Sequence, residues 1–133
     1  MRRVHLWASA AFLIGYASLP SVIASETASE PLCGDAMTTL AMQECLTEQH
    51  QMLDQELNDV YRDLMGELPR ARREKLKAAQ VAWLAFRDRA AEFQASASEG
   101  GSLSNLEYSV ALVELTRDRV GQLRGHLEMV RNE

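Results

Sequence analysis

Apolar residues recur every three or four positions along most of the chain, in three separate runs. The first comprises Met42, Cys45, Leu53, Leu57, Val60, Leu64 and Leu68, with Gln49 as a polar interruption. This spacing places the side chains on one face of an α-helix. Thr38 or Thr39 supplies a hydroxyl to cap its start. Gly66 and Pro69 mark a break, and Pro69 suits the opening turn of a second helix. The second run is Leu76, Ala79, Trp83, Phe86, Ala90, Phe93 and Ala97. The segment 96–102 (SASEGGS) contains Gly100-Gly101 and predicts a loop. Ser104-Asn105-Leu106-Glu107 then has the spacing of a capping box, so a third helix is expected to begin there. Its face is Leu106, Val110, Val113, Thr116, Val120, Leu123, Leu127 and Val130. No stretch alternates long enough for a strand, and no proline interrupts the three runs. Helices of about 25 residues joined by short loops pack as an up-down bundle. The expected fold is all-α: a small antiparallel bundle of three long helices spanning 38–131.

The first 24 residues read differently. Arg2 and Arg3 precede an apolar stretch from Val4 to Leu19, Pro20 ends it, and Val22 and Ala24 stand at −3 and −1 of a cut after Ala24. This is the layout of a secretory signal peptide. The apolar run of about 16 residues is shorter than a spanning helix requires. The reading is therefore a signal peptide at 1–24 and a periplasmic or secreted mature chain, with no membrane attachment after cleavage. Residues 25–37 lack periodicity and are expected to form a flexible N-terminal segment.

Cys33 and Cys45 are the two cysteines. An even count in an exported chain favours a disulfide over two free thiols. On one continuous helix they would stand about 18 Å apart, and a disulfide tolerates less than about 7 Å between Cα atoms. If they pair, Cys33 lies on a segment that folds back onto the helix carrying Cys45.

The 133 residues are room for one domain and carry a formal charge of −5. The first 24 residues hold Arg2 and Arg3 and no acid, so the remainder carries −7. That argues against nucleic-acid binding, which needs a basic face, and it suits a basic protein partner. No catalytic residue, metal site or cofactor is expected. His50 and Asp54 share a helix face but lack further ligands, and neither a nucleophile elbow nor a phosphate loop occurs. Three polar features stand out. Gln80, Trp83 and Arg87 share a face, with Arg87 able to lie over Trp83 and Asp88 beside it. Gly100-Gly101-Ser102 forms a polar turn, and Thr116 and Arg119 stand one turn apart. These groups either staple helices together or form a patch that recognises a partner.

The run 33–123 resembles the lysozyme-inhibitor LprI-like family, a set of small exported bacterial domains. The matching pieces are Cys33, Thr38, Met42 and Cys45; Leu57-Asn58 with Tyr61 and Leu64; Leu76, Ala79-Gln80, Trp83 and Phe86-Arg87-Asp88; Glu99-Gly100-Gly101-Ser102; and Thr116, Arg119 and Leu123. The resemblance marks Asn58, Tyr61, Gln80, Trp83, Arg87, Asp88, Thr116 and Arg119 as motif residues, structural or binding. The chain departs from the family at Ala91 and Ala111, where relatives usually carry cysteines, so the resemblance implies two alanines packed near each other in place of a second bridge. Ala41 stands where relatives often have Glu, which leaves a capping box at Thr38 incomplete.

The family implies inhibition of lysozyme, and common lysozymes are basic, as the charge requires. The expected function is an exported, non-catalytic helical binding module that inhibits a lysozyme-type cell-wall hydrolase. Its candidate binding loop is Glu99, Gly100, Gly101 and Ser102. The alternative is a periplasmic interaction protein serving another client in an envelope or secretion complex. An exposed apolar patch on a helix would favour the second reading.

Overall fold

The computed structural model describes residues 33–98 and 100–133; the expected signal peptide at 1–24, residues 25–32 and Glu99 lie outside the described residues. Three α-helices follow in order: α1 (Thr39–Glu67), α2 (Arg70–Ala95) and α3 (Ser102–Arg131), with a single 3₁₀ turn at Ser96–Ser98. The described residues contain no strand. The fold is the expected three-helix bundle.

Local chemistry explains each helix end. The Thr38 hydroxyl accepts the Ala41 amide at 3.1 Å and caps α1. Ala41 has no carboxylate to complete a capping box, so this end keeps half of that device. Pro69 immediately precedes α2, where its missing N–H costs nothing. The expected capping box at Ser104 does not form. α3 begins two residues earlier at Ser102, with Gly101 before it and no side-chain cap. The Ser104 hydroxyl instead donates to the Ala95 carbonyl at 3.0 Å, satisfying the end of α2. Gly100 has φ +86, a left-handed conformation that only glycine adopts readily.

α3 is the axis of the bundle. α1 and α2 both pack chiefly on α3 rather than on each other. α1 runs parallel to it, as a ladder of side-chain pairs shows. Gln43 donates to Ser109 at 2.7 Å, Arg117 to Gln49 at 3.4 Å and Arg131 to Glu67 at 3.2 Å, while Arg124 pairs with Glu56. Exposed pairs of this kind contribute little each. Most of the stabilisation comes from two apolar clusters. Leu57, Leu64, Leu68, Val120, Leu123 and Leu127 fill one half of the bundle. Cys33, Leu46, Leu106 and Val113 fill the other.

The buried faces match the apolar spacing for α3 and not for α2. Leu106, Val113, Thr116, Val120, Leu123 and Leu127 are all buried on α3. On α2, however, Phe86 is 58% exposed and Phe93 79% exposed. The face that α2 turns inward is Leu76, Gln80, Trp83, Arg87, Ala91 and Ala95, all buried or half-buried. Gln80, Trp83 and Arg87 therefore face into the bundle, and the phenylalanines lie outside it. On α1 the fully buried Leu46 stands one position beyond Cys45, which apolar spacing had placed on the core face.

Cys33 and Cys45 form a disulfide with 6.0 Å between Cα atoms. Residues 33–35 form a turn, closed by the Ala36 amide donating to the Cys33 carbonyl at 2.9 Å. This part of the segment 25–37, expected to be flexible, is tied to α1. Ala91 and Ala111 are both fully buried, on the helices α2 and α3 that pack together.

Candidate functional site

The motif residues meet where α2 crosses α3. Arg87 and Arg119 both lie over the Trp83 ring, 5.5 and 5.7 Å from its centre. Arg119 also donates to the Gln80 side-chain oxygen at 3.0 Å and to Gln122 at 3.1 Å. Arg87 pairs with Asp88 at 3.0 Å and reaches Asp54 on α1 at 3.5 Å. The Arg87 side chain is 12% exposed. Helix spacing puts Gln80, Trp83 and Arg87 on one line, and packing on α3 adds Arg119 from the opposite side. Burial lowers the Arg119 pKa from its ordinary value, yet a guanidinium stays charged at neutral pH. Two cations on one aromatic ring, each with a polar partner, hold the three helices together.

The remaining motif residues divide. Tyr61 is half-buried and packs against the Leu57 cluster, whereas Asn58 and Asp88 are exposed. Asn58, Tyr61, Gln80 and Arg87 line a groove of about 440 Å³ between α1 and α2, with Leu57 and Asp54 among its other walls. Thr116 is fully buried, and its hydroxyl has no partner among the described residues. Asp54 and His50 join this constellation without having been singled out by the motif. Their signal was their one-turn spacing on α1.

His50 is half-buried, and its Nε2 has no partner among the described residues. Burial lowers its pKa below the ordinary 6.5, Arg87 adds to the effect, and Asp54 and Asp88 oppose it. With the folded pKa depressed, the unfolded chain takes up the proton first on acidification. Stability held above pH 6.5 is thus lost as pH falls through that value toward the folded pKa. Urea midpoints between pH 7.5 and 5.5 are expected to fall more steeply for the native chain than for His50→Gln; equal slopes would contradict this.

The corner between α2 and α3 is tight. Ser96 donates to the Phe93 carbonyl at 2.6 Å, and Ser98 donates to Glu107 at 2.9 Å. The Gly101 amide donates to the Ser98 carbonyl at 3.0 Å. Gly100, Gly101 and Ser102 are exposed, and Glu99 lies outside the described residues. The Ser96 and Ser98 hydroxyls are thus bonded within the corner.

The antiparallel arrangement also sorts the charge. Residues 33–48 and 90–116 contain no lysine or arginine. They are the start of α1, the end of α2 and the start of α3, which stand together in the disulfide half of the bundle. That end carries Asp35, Glu44, Glu48, Glu92, Glu107 and Glu114. The remainder of the bundle holds every cation after Arg3, with Arg87, Arg117 and Arg124 beside residues 49–56 of α1 and Arg70, Arg72, Arg73, Lys75 and Lys77 exposed on α2. The negative net charge is the balance of an acidic end and a basic end.

Among the described residues no group of three or more His, Cys, Asp or Glu is placed to hold a metal ion. No helix among them is long and apolar enough to cross a membrane.

Comparison with known proteins gives two findings. The family model described as "Lysozyme inhibitor LprI" matches residues 33–123. An uncharacterized protein of Rhizobium meliloti (strain 1021) is 29% identical over 116 residues, covering 77% of this chain and 84% of that protein. No solved structure matches.

Proposed function

The chain belongs to the lysozyme inhibitor LprI family, and from that premise we propose that it is an exported, non-catalytic binding module that inhibits a lysozyme-type cell-wall hydrolase. The signal layout at 1–24 supports a periplasmic or secreted location after cleavage at Ala24. The observation that carries the reading, beside the family, is the cation-free disulfide half. A basic hydrolase is steered toward that end and repelled by the other. The corner Gly100–Ser102 stands there, and the sequence adds Glu99 to it.

Charge reversal tests the reading. Glu44→Lys with Glu92→Lys is expected to weaken binding of a basic lysozyme about tenfold at low salt, with the difference shrinking at physiological salt. Glu74→Lys with Glu128→Lys changes net charge equally in the other half and is expected to leave affinity nearly unchanged. Equal losses in both variants would remove the localised docking end.

One observation favours the alternative reading of a different envelope client. Phe86 and Phe93 stand seven residues apart on one exposed face of α2, with the exposed Ala79 and Ala82 beside them. Such a stripe suits a helical partner. Phe86→Ser with Phe93→Ser leaves lysozyme binding intact if the first reading holds.

A further inference from the structure

At the disulfide end, Met42 of α1 and Leu103, Leu106 and Val110 of α3 surround a recess of about 410 Å³, with Gln94 of α2 also at its wall. One charged residue lines this largely apolar hollow, Glu107. Its Oε1 accepts the Ser98 hydroxyl at 2.9 Å. Its Oε2 is shut off from water and has no hydrogen-bond partner among the described residues. A carboxylate oxygen without a donor in apolar surroundings is costly and calls for an explanation.

The recess joins apolar walls to a negative acceptor. Lysine has the complementary build: a four-carbon apolar stem that ends in three donors and no acceptor. Arginine shares it. We propose that this recess receives a lysine or arginine side chain of a protein partner. The stem lies against Met42, Leu103, Leu106 and Val110, and the cationic head donates to Glu107 Oε2. Leu103 is 52% exposed and Gln94 is exposed, so both side chains have room to swing outward and admit the cation. The chain has no lysine or arginine of its own in this half to compete for Glu107. An anionic ligand finds only repulsion here. The inference takes the partner's identity from the hydrolase reading and names the chemistry that anchors it.

The test uses the oxidised chain from Ser25 onward, isotope-labelled for NMR. Two probes are a hexapeptide with one central lysine and its norleucine counterpart, which keeps the stem without the ammonium. The lysine peptide is expected to shift the amides of Met42, Leu103 and Val110 and to bind at least tenfold more tightly than the norleucine peptide. Glu107→Gln retains an acceptor for Ser98 and the same shape. It is expected to weaken the lysine peptide about ten- to a hundredfold, as loss of a charge-assisted bond does, and to leave the norleucine peptide unchanged. Equal affinity for the two peptides, or no shift at the recess, overturns the proposal. A lysozyme titration of both proteins separates the two claims. Lysozyme bound equally by native chain and Glu107→Gln, with no peptide preference, sinks the recess and leaves the hydrolase reading standing. A Glu107-dependent peptide preference without lysozyme binding supports the recess and sinks the hydrolase reading.

Discussion

Replacing Cys33 and Cys45 together by serine is expected to lower the unfolding free energy by about 3 kcal/mol, the effect of opening a short disulfide loop. The bridge matters here for two further reasons. A three-helix domain of this size buries a modest core, and the sequence has no further cysteines for a second bridge. Cys33 also belongs to the cluster of Leu46, Leu106 and Val113, and it has a left-handed φ of 56. The Gln49 amide donates to both sulfurs, at 3.6 and 3.7 Å, which couples the bridge to α1. Urea unfolding of the oxidised chain and the double-serine variant measures the difference. A loss under 1 kcal/mol would show that the turn at 33–35 holds without its bond.

Trp83→Ala is expected to cost about 3 kcal/mol and to lower the melting temperature by about 15 °C. The half-buried ring packs on the Leu57, Leu64 and Leu123 cluster, so its removal opens space in the core. It also withdraws the surface on which Arg87 and Arg119 lie, each contact being worth about 0.5–1 kcal/mol or more where water is excluded. The two guanidiniums would then stand together at an incompletely filled site. If the stack is a staple, the folded fraction of Trp83→Ala still binds its partner with unchanged affinity. Lost affinity in a variant that remains folded would make the stack part of the binding surface instead.

That stack is where the sequence pattern misleads. Apolar spacing on α2 selects Phe86 and Phe93, because it ranks side chains by hydrophobicity and cannot see their partners. The helix instead turns Gln80 and Arg87 inward. The Gln80 oxygen meets Arg119 from α3, and Arg87 meets Asp54 from α1, bonds that no local pattern contains. Once those groups are satisfied, burying them beside Trp83 is no longer prohibitive. On α3 the apolar spacing identifies the buried face correctly, with Thr116 its one polar member and Arg119 half-buried beside it. The disulfide was legible from cysteine count and compartment. The Ser104 capping box was not, since Ser104 is spent on the end of the preceding helix, a tertiary choice.

The candidate surface was legible only in fragments. The absence of cations from 33–48 and 90–116 is plain in the sequence, but these segments form one acidic end only when α2 runs antiparallel to its neighbours. The Glu107 recess was out of reach, because it takes side chains from all three helices. The corner at Gly100–Ser102 was correctly placed between helices, and its tightness follows from the hydroxyls of Ser96, Ser98 and Ser104 bonding inward.

The most direct test of the central claim is a titration of the oxidised chain from Ser25 onward with a panel of lysozymes, at low and physiological salt, with cell-wall lysis followed in parallel. Saturable binding that weakens as salt rises and slows lysis in proportion to occupancy is the predicted result. No binding to any lysozyme, or binding that leaves lysis at its full rate, would contradict it.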